Sequence, residues 1–205
     1  MVVLQLGLVT AFILTHHLAL VPVIIFFPYV FPLLVYRTLL AFFPYKEGGQ
    51  YLGVGYNMWN GAYKIQNFFY AFPYLERVLV LFGFYSAWLR LWGSKIGKNV
   101  FWTSHTLIGD RQGMIVGDNA LFGHGCSFIS HVVHIRDGKV FLYYKPIKIG
   151  RNVFVGAGSR MGPGTTIKDN TRVPVLTDLM VSETKGPEDF GATSDGDLEI
   201  FYSRG

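Results

Sequence analysis

A mainly β chain, wound as a parallel β-helix behind a helical, apolar N-terminus, is predicted by three observations. From Ile96 onward, glycine, short polar pairs and single aliphatic residues recur every six positions, and a hexapeptide period is the sequence signature of a parallel β-helix. Residues 1–36 contain no Asp, Glu, Lys or Arg. Residues 181–205, in contrast, hold six acids against two bases.

The 205 residues are enough for one domain plus an attachment, not for two full domains. Charged residues make up 15%, against roughly 25% in ordinary soluble domains. The net charge of +5 divides as +4 over residues 1–95, +5 over 96–180 and −4 over 181–205. No basic run or basic-aromatic stripe occurs, so nucleic acid is not an expected partner; the mildly basic body suits a phosphate-rich cofactor or an anionic membrane surface. One cysteine, Cys126, excludes an internal disulfide framework.

Taken in order, residues 1–45 read as a membrane anchor. The apolar stretch is too long for a signal-peptide core and lacks a basic start. It is also too long for one straight span of about 20 residues, and Pro22, Pro28 and Pro32 oppose a single helix. A tight helical hairpin broken near Pro22 is preferred over one span followed by a surface-lying segment. Arg37, Lys46, Lys64, Arg77, Arg90 and Lys95 all follow the stretch, which places the rest of the chain in the cytoplasm by the positive-inside rule. His16 and His17 read as neutral imidazoles near a kink rather than as an intramembrane site.

Residues 46–95 read as a loop, over 46–67, and then a helix, over 74–93. Trp88 and Trp92 beside Arg90 suit a membrane–water interface; packing against the end of the next domain is the competing explanation.

Residues 96–177 carry the repeat. The hexads begin at 96, 102, 108, 116, 122, 128, 149, 155, 161, 167 and, fading, 173. Their first position is apolar in all eleven, the second is Gly in seven, and the fifth is small or β-branched in all but one. Three short strands and three tight corners make one triangular coil of about eighteen residues. The first position points inward and stacks on its equivalents; the fifth points inward near a corner, where little room remains. Glycine, Asn and Asp supply corner backbones that other residues resist. Full coils are expected at 96–113, 116–133 and 149–166, with a partial fourth. Residues 178–205 read as an acidic, disordered tail.

A loop over 134–148 interrupts the repeat between the second and third coils. It lies outside the core, where loops tend to carry function. His131 stands three residues before it, in SFISHVV, and the chain returns through Pro146-Ile147-Lys148-Ile149-Gly150 into NVFVGAGSRMGPGTTI. On these segments the chain resembles the hexapeptide-repeat acyltransferases, in particular the galactoside and maltose O-acetyltransferase type. The resemblance implies a left-handed coil and an acyl-CoA-dependent activity, with acetyl-CoA or another acyl-CoA as co-substrate. It implies His131 as general base, a role that suits an imidazole titrating near neutrality. It implies Asp110 as a contact for the acceptor; His134, which opens the loop and has no counterpart role in that family, is a further candidate acceptor contact by its place beside His131. Gly156 and Ala157 would meet the pantetheine arm through their backbones, and Arg160, Lys168 and Arg172 its phosphates. A homotrimer with sites between subunits follows from the same resemblance, and no metal is implied. The acceptor would be a hydroxyl or amine, a lipid-linked sugar given the membrane anchor. Two other functions share the prism: a structural β-helix subunit of a membrane complex, and a γ-type carbonic anhydrase, whose three zinc-binding histidines the spacing of His124, His131 and His134 does not match. Cys126, at an inward fifth position, reads as core.

Overall fold

The computed structural model describes residues 2–53, 57–71 and 74–190. Among these, residues 2–45 and 57–71 form one compact unit, and 46–53 with 74–190 a second.

The first unit is helical. Helix α1 (Val2–Thr15) ends at His16, whose φ of 54° is left-handed. Helix α2 (Leu20–Ile25) runs through a π-helical turn, Phe26–Val30, into α3 (Phe31–Phe42). The break expected near Pro22 therefore falls at His16. Pro22 lies in the first turn of α2, where the N–H it lacks has no helical partner, and Pro32 opens α3 in the same way. Among the described residues no helix is long and apolar enough to cross a membrane. The hairpin of spans expected over 1–45 is therefore not supported: the turn at His16 ends α1, and the π-helical turn interrupts the α-helical stretch between α2 and α3. Leu14, Leu18 and Phe42 are 76%, 78% and 73% exposed.

The described residues of 46–67 are not simply a loop. They supply strand β1 (Gly48–Tyr51) and most of helix α4 (Met58–Ala71), and α4 packs on α3. The strand exists through pairing rather than propensity. The Phe141 ring lies over Gly49, where a Cβ would stand 2.3 Å from Cζ.

In the second unit, helices α5 (Tyr74–Leu81) and α6 (Tyr85–Trp92) precede the prism. Here protein packing accounts for the tryptophans: Trp88 is 7% and Trp92 0% exposed. The α6 helix packs on the first strand of the prism. Tyr85 meets Trp102 edge to face, Trp102 Nε1 donates to Ser86 Oγ at 2.8 Å, and Arg90 donates to the Ile96 and Gly97 carbonyls. An amphipathic helix with an aromatic face looks the same in sequence whether it covers lipid or the open end of a core.

The prism starts with β2 (Lys95–Ile96), β3 (Phe101–Trp102) and β4 (Leu107–Ile108). A second coil follows in β5 (Met114–Val116), β6 (Leu121–Phe122) and β7 (Ser127–Phe128). The chain then leaves as a hairpin, β8 (His131–Arg136) and β9 (Lys139–Tyr144). The third coil is β10 (Ile147–Ile149), β11 (Phe154–Val155) and β12 (Arg160–Met161); the fourth is β13 (Thr166–Ile167), β14 (Arg172–Val173) and β15 (Asp178–Leu179), followed by β16 (Thr184–Lys185). Parallel pairing stacks them into three faces. Face 1 is β2-β5-β10-β13-β16, face 2 is β3-β6-β11-β14, and face 3 is β4-β7-β12-β15.

Every first-position residue of the hexads is buried: Ile96, Trp102, Ile108, Val116, Phe122, Phe128, Ile149, Val155, Met161, Ile167 and Val173. Leu179 extends the column by one more. The fourth coil is therefore complete and a fifth begins, so the tail expected from 178 starts no earlier than 191, and residues 191–205 lie outside the described ones. Fourth-position residues turn the corners. Asn99, His105, Asn119, Gly125, Asn152, Gly158, Gly164, Asn170, Leu176 and Ser182 all have left-handed φ. Leu176 and Ser182 stand where Asn or Gly marks the other late corners, which is why the pattern fades in sequence before the coil does.

Candidate active site

Two fourth positions escape that left-handed rule, Arg111 and His131. Both sit where face 3 passes to face 1, in the first and second coils. The chain there does something other than turn.

In the second coil, His131 is the first residue of β8 and pairs with Tyr144 of β9. The interruption read as an irregular loop over 134–148 is a hairpin that starts at His131, and its turn, Asp137-Gly138, has φ of 51° and 71°. Positive φ at both central residues is the type I′ pattern that an Asp-Gly pair favours, so a signal for the hairpin was present in the sequence. Strand β1 completes a three-stranded antiparallel arm in the order β1-β9-β8.

In the first coil, residues 109–113 fold inward. The Asp110 carboxylate is 2% exposed; its Oδ2 accepts the Ser130 backbone N–H at 3.0 Å and lies 2.7 Å from His131 Nδ1. Ser130 Oγ donates to the Gly113 carbonyl at 2.8 Å, and Gly113 N–H donates to the Asp110 carbonyl at 2.8 Å. Ile147 N–H closes the returning arm on the Gly113 carbonyl at 2.9 Å. A buried carboxylate on Nδ1 fixes that nitrogen as the protonated one and leaves Nε2 as the basic one. A base held by a third group in this way is the arrangement that activates a hydroxyl or amine.

Of the expected site residues, the structure joins His131 and Asp110 and separates the rest. Asp110 was expected to touch the acceptor; instead it is buried and bonded to the His131 ring. His134 lies three positions along β8, so the strand's alternation turns it to the opposite face of the arm, where its ring stands 5.1 Å from that of Phe141. Gly156 is buried at a corner: its N–H donates to the Val173 carbonyl at 2.9 Å, and a Cβ there would lie 2.4 Å from Val175 N. Its carbonyl accepts Cys126 Sγ at 3.3 Å. The Ala157 carbonyl accepts Leu176 N–H at 2.9 Å. Coil-to-coil pairing therefore occupies the backbone groups expected to meet a cofactor, apart from the Ala157 N–H.

Arg160 points outward from face 3 and pairs with Asp178, Nε to Oδ1 at 2.6 Å. Lys168 pairs with Glu188 at the corner between faces 1 and 2, and Arg172 is exposed on face 2. These three cations cannot converge on one phosphate group within a single copy of the chain. Their partners shift both pairs: Asp178 raises the pKa of Arg160 and Glu188 that of Lys168, while the two carboxyls are held below their ordinary values. Burial pushes the Cys126 thiol up, away from the reactive thiolate. His124 lies against His105, ring centroids 4.9 Å apart and planes tilted by 53°. Among the described residues no three His, Cys, Asp or Glu side chains come together as a metal site.

Residues 146–173 match the family described as the hexapeptide repeat of succinyl-transferase. The galactoside O-acetyltransferase of Escherichia coli strain K12 is 33% identical over 81 residues, 37% of this chain and 39% of that protein. The match thus spans about two-fifths of the curated relative. Among solved structures, a hexapeptide-repeat acetyltransferase of Vibrio cholerae, complexed with acetyl coenzyme A, is 20% identical with a TM-score of 0.36, over 46% of this chain and 55% of that one. A galactoside acetyltransferase in complex with coenzyme A is 15% identical with a TM-score of 0.36, over 57% and 73%. The fold rests on the parallel pairing described above, and the repeat that builds it is of the hexapeptide kind.

Proposed function

We propose that this chain is an acyl-CoA-dependent acyltransferase, transferring an acetyl group to a hydroxyl or amine, with His131 as general base. The observation that carries the reading is the buried Asp110 carboxylate 2.7 Å from His131 Nδ1, at the root of an arm that leaves the prism. The relative that is a galactoside O-acetyltransferase supports the reaction class. His131 Nε2 takes the proton of the acceptor as its oxygen or nitrogen attacks the thioester carbonyl. The tetrahedral intermediate then collapses, the carbon–sulfur bond breaks, and the imidazolium returns the proton to the departing thiolate. Asp110 holds the ring and offsets its positive charge during the step.

The co-substrate fits best along face 3, where Ala157, Arg160 and His131 follow one another across the corner, strand and corner. Lys168 and Arg172 belong to other surfaces and would reach the same cofactor only from a neighbouring copy. A homotrimer meets this need, and the outward column Phe101, Leu121 and Phe154 on face 2, 60%, 38% and 41% exposed, supports such packing. Attachment to the cytoplasmic side of a membrane is supported by the uncharged first 36 residues and the exposed apolar side chains of α1–α3, with a lipid-linked sugar as a fitting acceptor. The test is transfer of label from acetyl-CoA by the purified chain in detergent, offered membrane extract as acceptor. Labelled product from the parent and none from His131→Ala is expected; no product and no acetyl-CoA binding by the parent would refute the reading and favour the structural subunit.

A further inference from the structure

The corner that carries Asp110 is held from outside the repeat. Arg111, the next residue, is 2% exposed, and its guanidinium grips Glu76 of α5 with both prongs, Nε to Oε1 at 2.5 Å and Nη2 to Oε2 at 2.6 Å. Glu76 Oε1 also accepts Trp88 Nε1–H of α6 at 2.9 Å. Ser94 Oγ–H donates to the Arg111 carbonyl at 2.7 Å, and Ser94 Oγ in turn accepts Met114 N–H at 3.0 Å. Among the described residues no other coil has such a set. In the third and fourth coils the same corner is turned by Gly164 and Ser182 in left-handed conformation, with no charged side chain facing inward.

A buried two-pronged ion pair is a costly way to turn a corner, since desolvation offsets much of its attraction. Its value lies in direction: the planar guanidinium fixes both the position and the rotation of its carboxylate partner. Asp110 is one peptide away from that fixed point, and its carboxylate must meet a ring on a different coil within hydrogen-bond distance. We infer that Glu76 is a positioning residue for the proposed transfer: through Arg111 it locks the 110–113 corner and so aims the Asp110 carboxylate at His131. The inference rests on the general-base reading. Helix α5 thereby belongs to the active site through Glu76, whose carboxylate is bound to Arg111, and Trp88 steadies the same carboxylate.

The experiment is a double-mutant cycle on acetyl transfer, using Glu76→Gln, Asp110→Asn and the pair, with His131→Ala alongside. Glu76→Gln keeps an acceptor for Trp88 and removes the charge that grips Arg111. It is expected to lower kcat about tenfold with the KM for acetyl-CoA changed less than about twofold, the pattern of lost alignment in the transition state. In the Asp110→Asn background the same change is expected to cost less than about twofold, because the group it positions is already gone. Equal losses in both backgrounds would make the role merely structural and overturn the inference, as would parent-level kcat in Glu76→Gln. If Glu76→Gln is unfolded at the assay temperature, Trp88→Phe replaces it, with about a threefold loss expected in the parent and none in Asp110→Asn. A silent His131→Ala with additive Glu76→Gln removes the clamp alone; a fully active His131→Ala removes the general base and the clamp with it.

Discussion

Two corners of the same prism solve one backbone problem in opposite ways. Between faces 1 and 2 every coil turns on asparagine: Asn99, Asn119, Asn152 and Asn170 all hold left-handed φ, and each side-chain amide donates to the next at 3.2, 3.0 and 2.9 Å. Between faces 3 and 1, the first two coils use Arg111 and His131 without the left-handed turn and bury Asp110, Ser94 and Ser130 around them. The first corner is exposed, repetitive and made of one residue type. The second is buried, and its parts come from α5, three strand ends and the arm. A repeat needs only a residue that tolerates the turn, whereas a site needs particular atoms at particular distances. Departure from the repeat is therefore where chemistry is to be sought.

The comparison breaks first at His131. His131→Ala is expected to lower turnover about 10²-fold or more with acetyl-CoA affinity near that of the parent, and to lower the melting temperature because the buried Asp110 carboxylate loses its ring partner; isothermal titration, a turnover assay and thermal unfolding check these. Asp110→Asn comes next. It should cost about 10-fold or more in turnover, the share of a base that needs its partner for orientation, and about 1–3 kcal/mol of stability through the weakened bond to Ser130 N–H, read from urea unfolding. The asparagine corner should behave differently. Asn119→Ala is expected to cost about 1–2 kcal/mol from left-handed strain, Asn119→Gly distinctly less, and neither should change turnover. Leu176→Gly sharpens the same point in reverse. Leu176 has φ 56° and is 77% exposed, so removing its Cβ should raise stability by about 1 kcal/mol. The smallest effect is expected at Arg160 and Asp178. The Asp178 carboxyl is held below its ordinary value by Arg160, so its contribution is present above the ordinary carboxylate range and fades as pH falls through the lowered value. Arg160→Gln should narrow the gap in melting temperature between pH 7 and pH 3, and only slightly, because the pair is exposed.

This contrast also explains what could be read from the sequence. The inward first position is set by burial alone, which repeats, so the column from Ile96 to Val173 was legible in full. The position of His131 was legible because the interruption follows it. The partnership of Asp110 with His131 was not: the added Met114 and Ile115 break the count at that corner, and spacing cannot say whether a corner carboxylate faces solvent or the next coil. The hairpin carried its own sign in Asp137-Gly138, masked by the surrounding hexads. Trp88 and Trp92 were ambiguous for a physical reason, since an apolar helix face fits lipid or a prism end equally. The end of the fourth coil and the strand after it went unseen because Leu176 and Ser182 adopt a conformation their side chains disfavour, and neighbouring coils, not local preference, hold them there.

The arm has a consequence for the order in which the molecule assembles. Strands within the prism find partners close in sequence, as Ile96 does in Val116 and Phe154 in Arg172, so coils can zip from one to the next. Strand β1 has no such neighbour: Gly48 pairs with Tyr144 and Tyr51 with Phe141. Gly48–Tyr51 leaves the ribosome long before its partner exists, and closing so large a loop is slow compared with adding a coil. The hairpin β8-β9 can form by itself on its Asp-Gly turn, and β1 then docks on its outer edge. Until that last strand arrives, the edge of β9 stays unpaired, open to a strand from another nascent chain. The interval between making the second coil and seating β1 is thus a stage at which an open strand edge exposes this protein to misassociation.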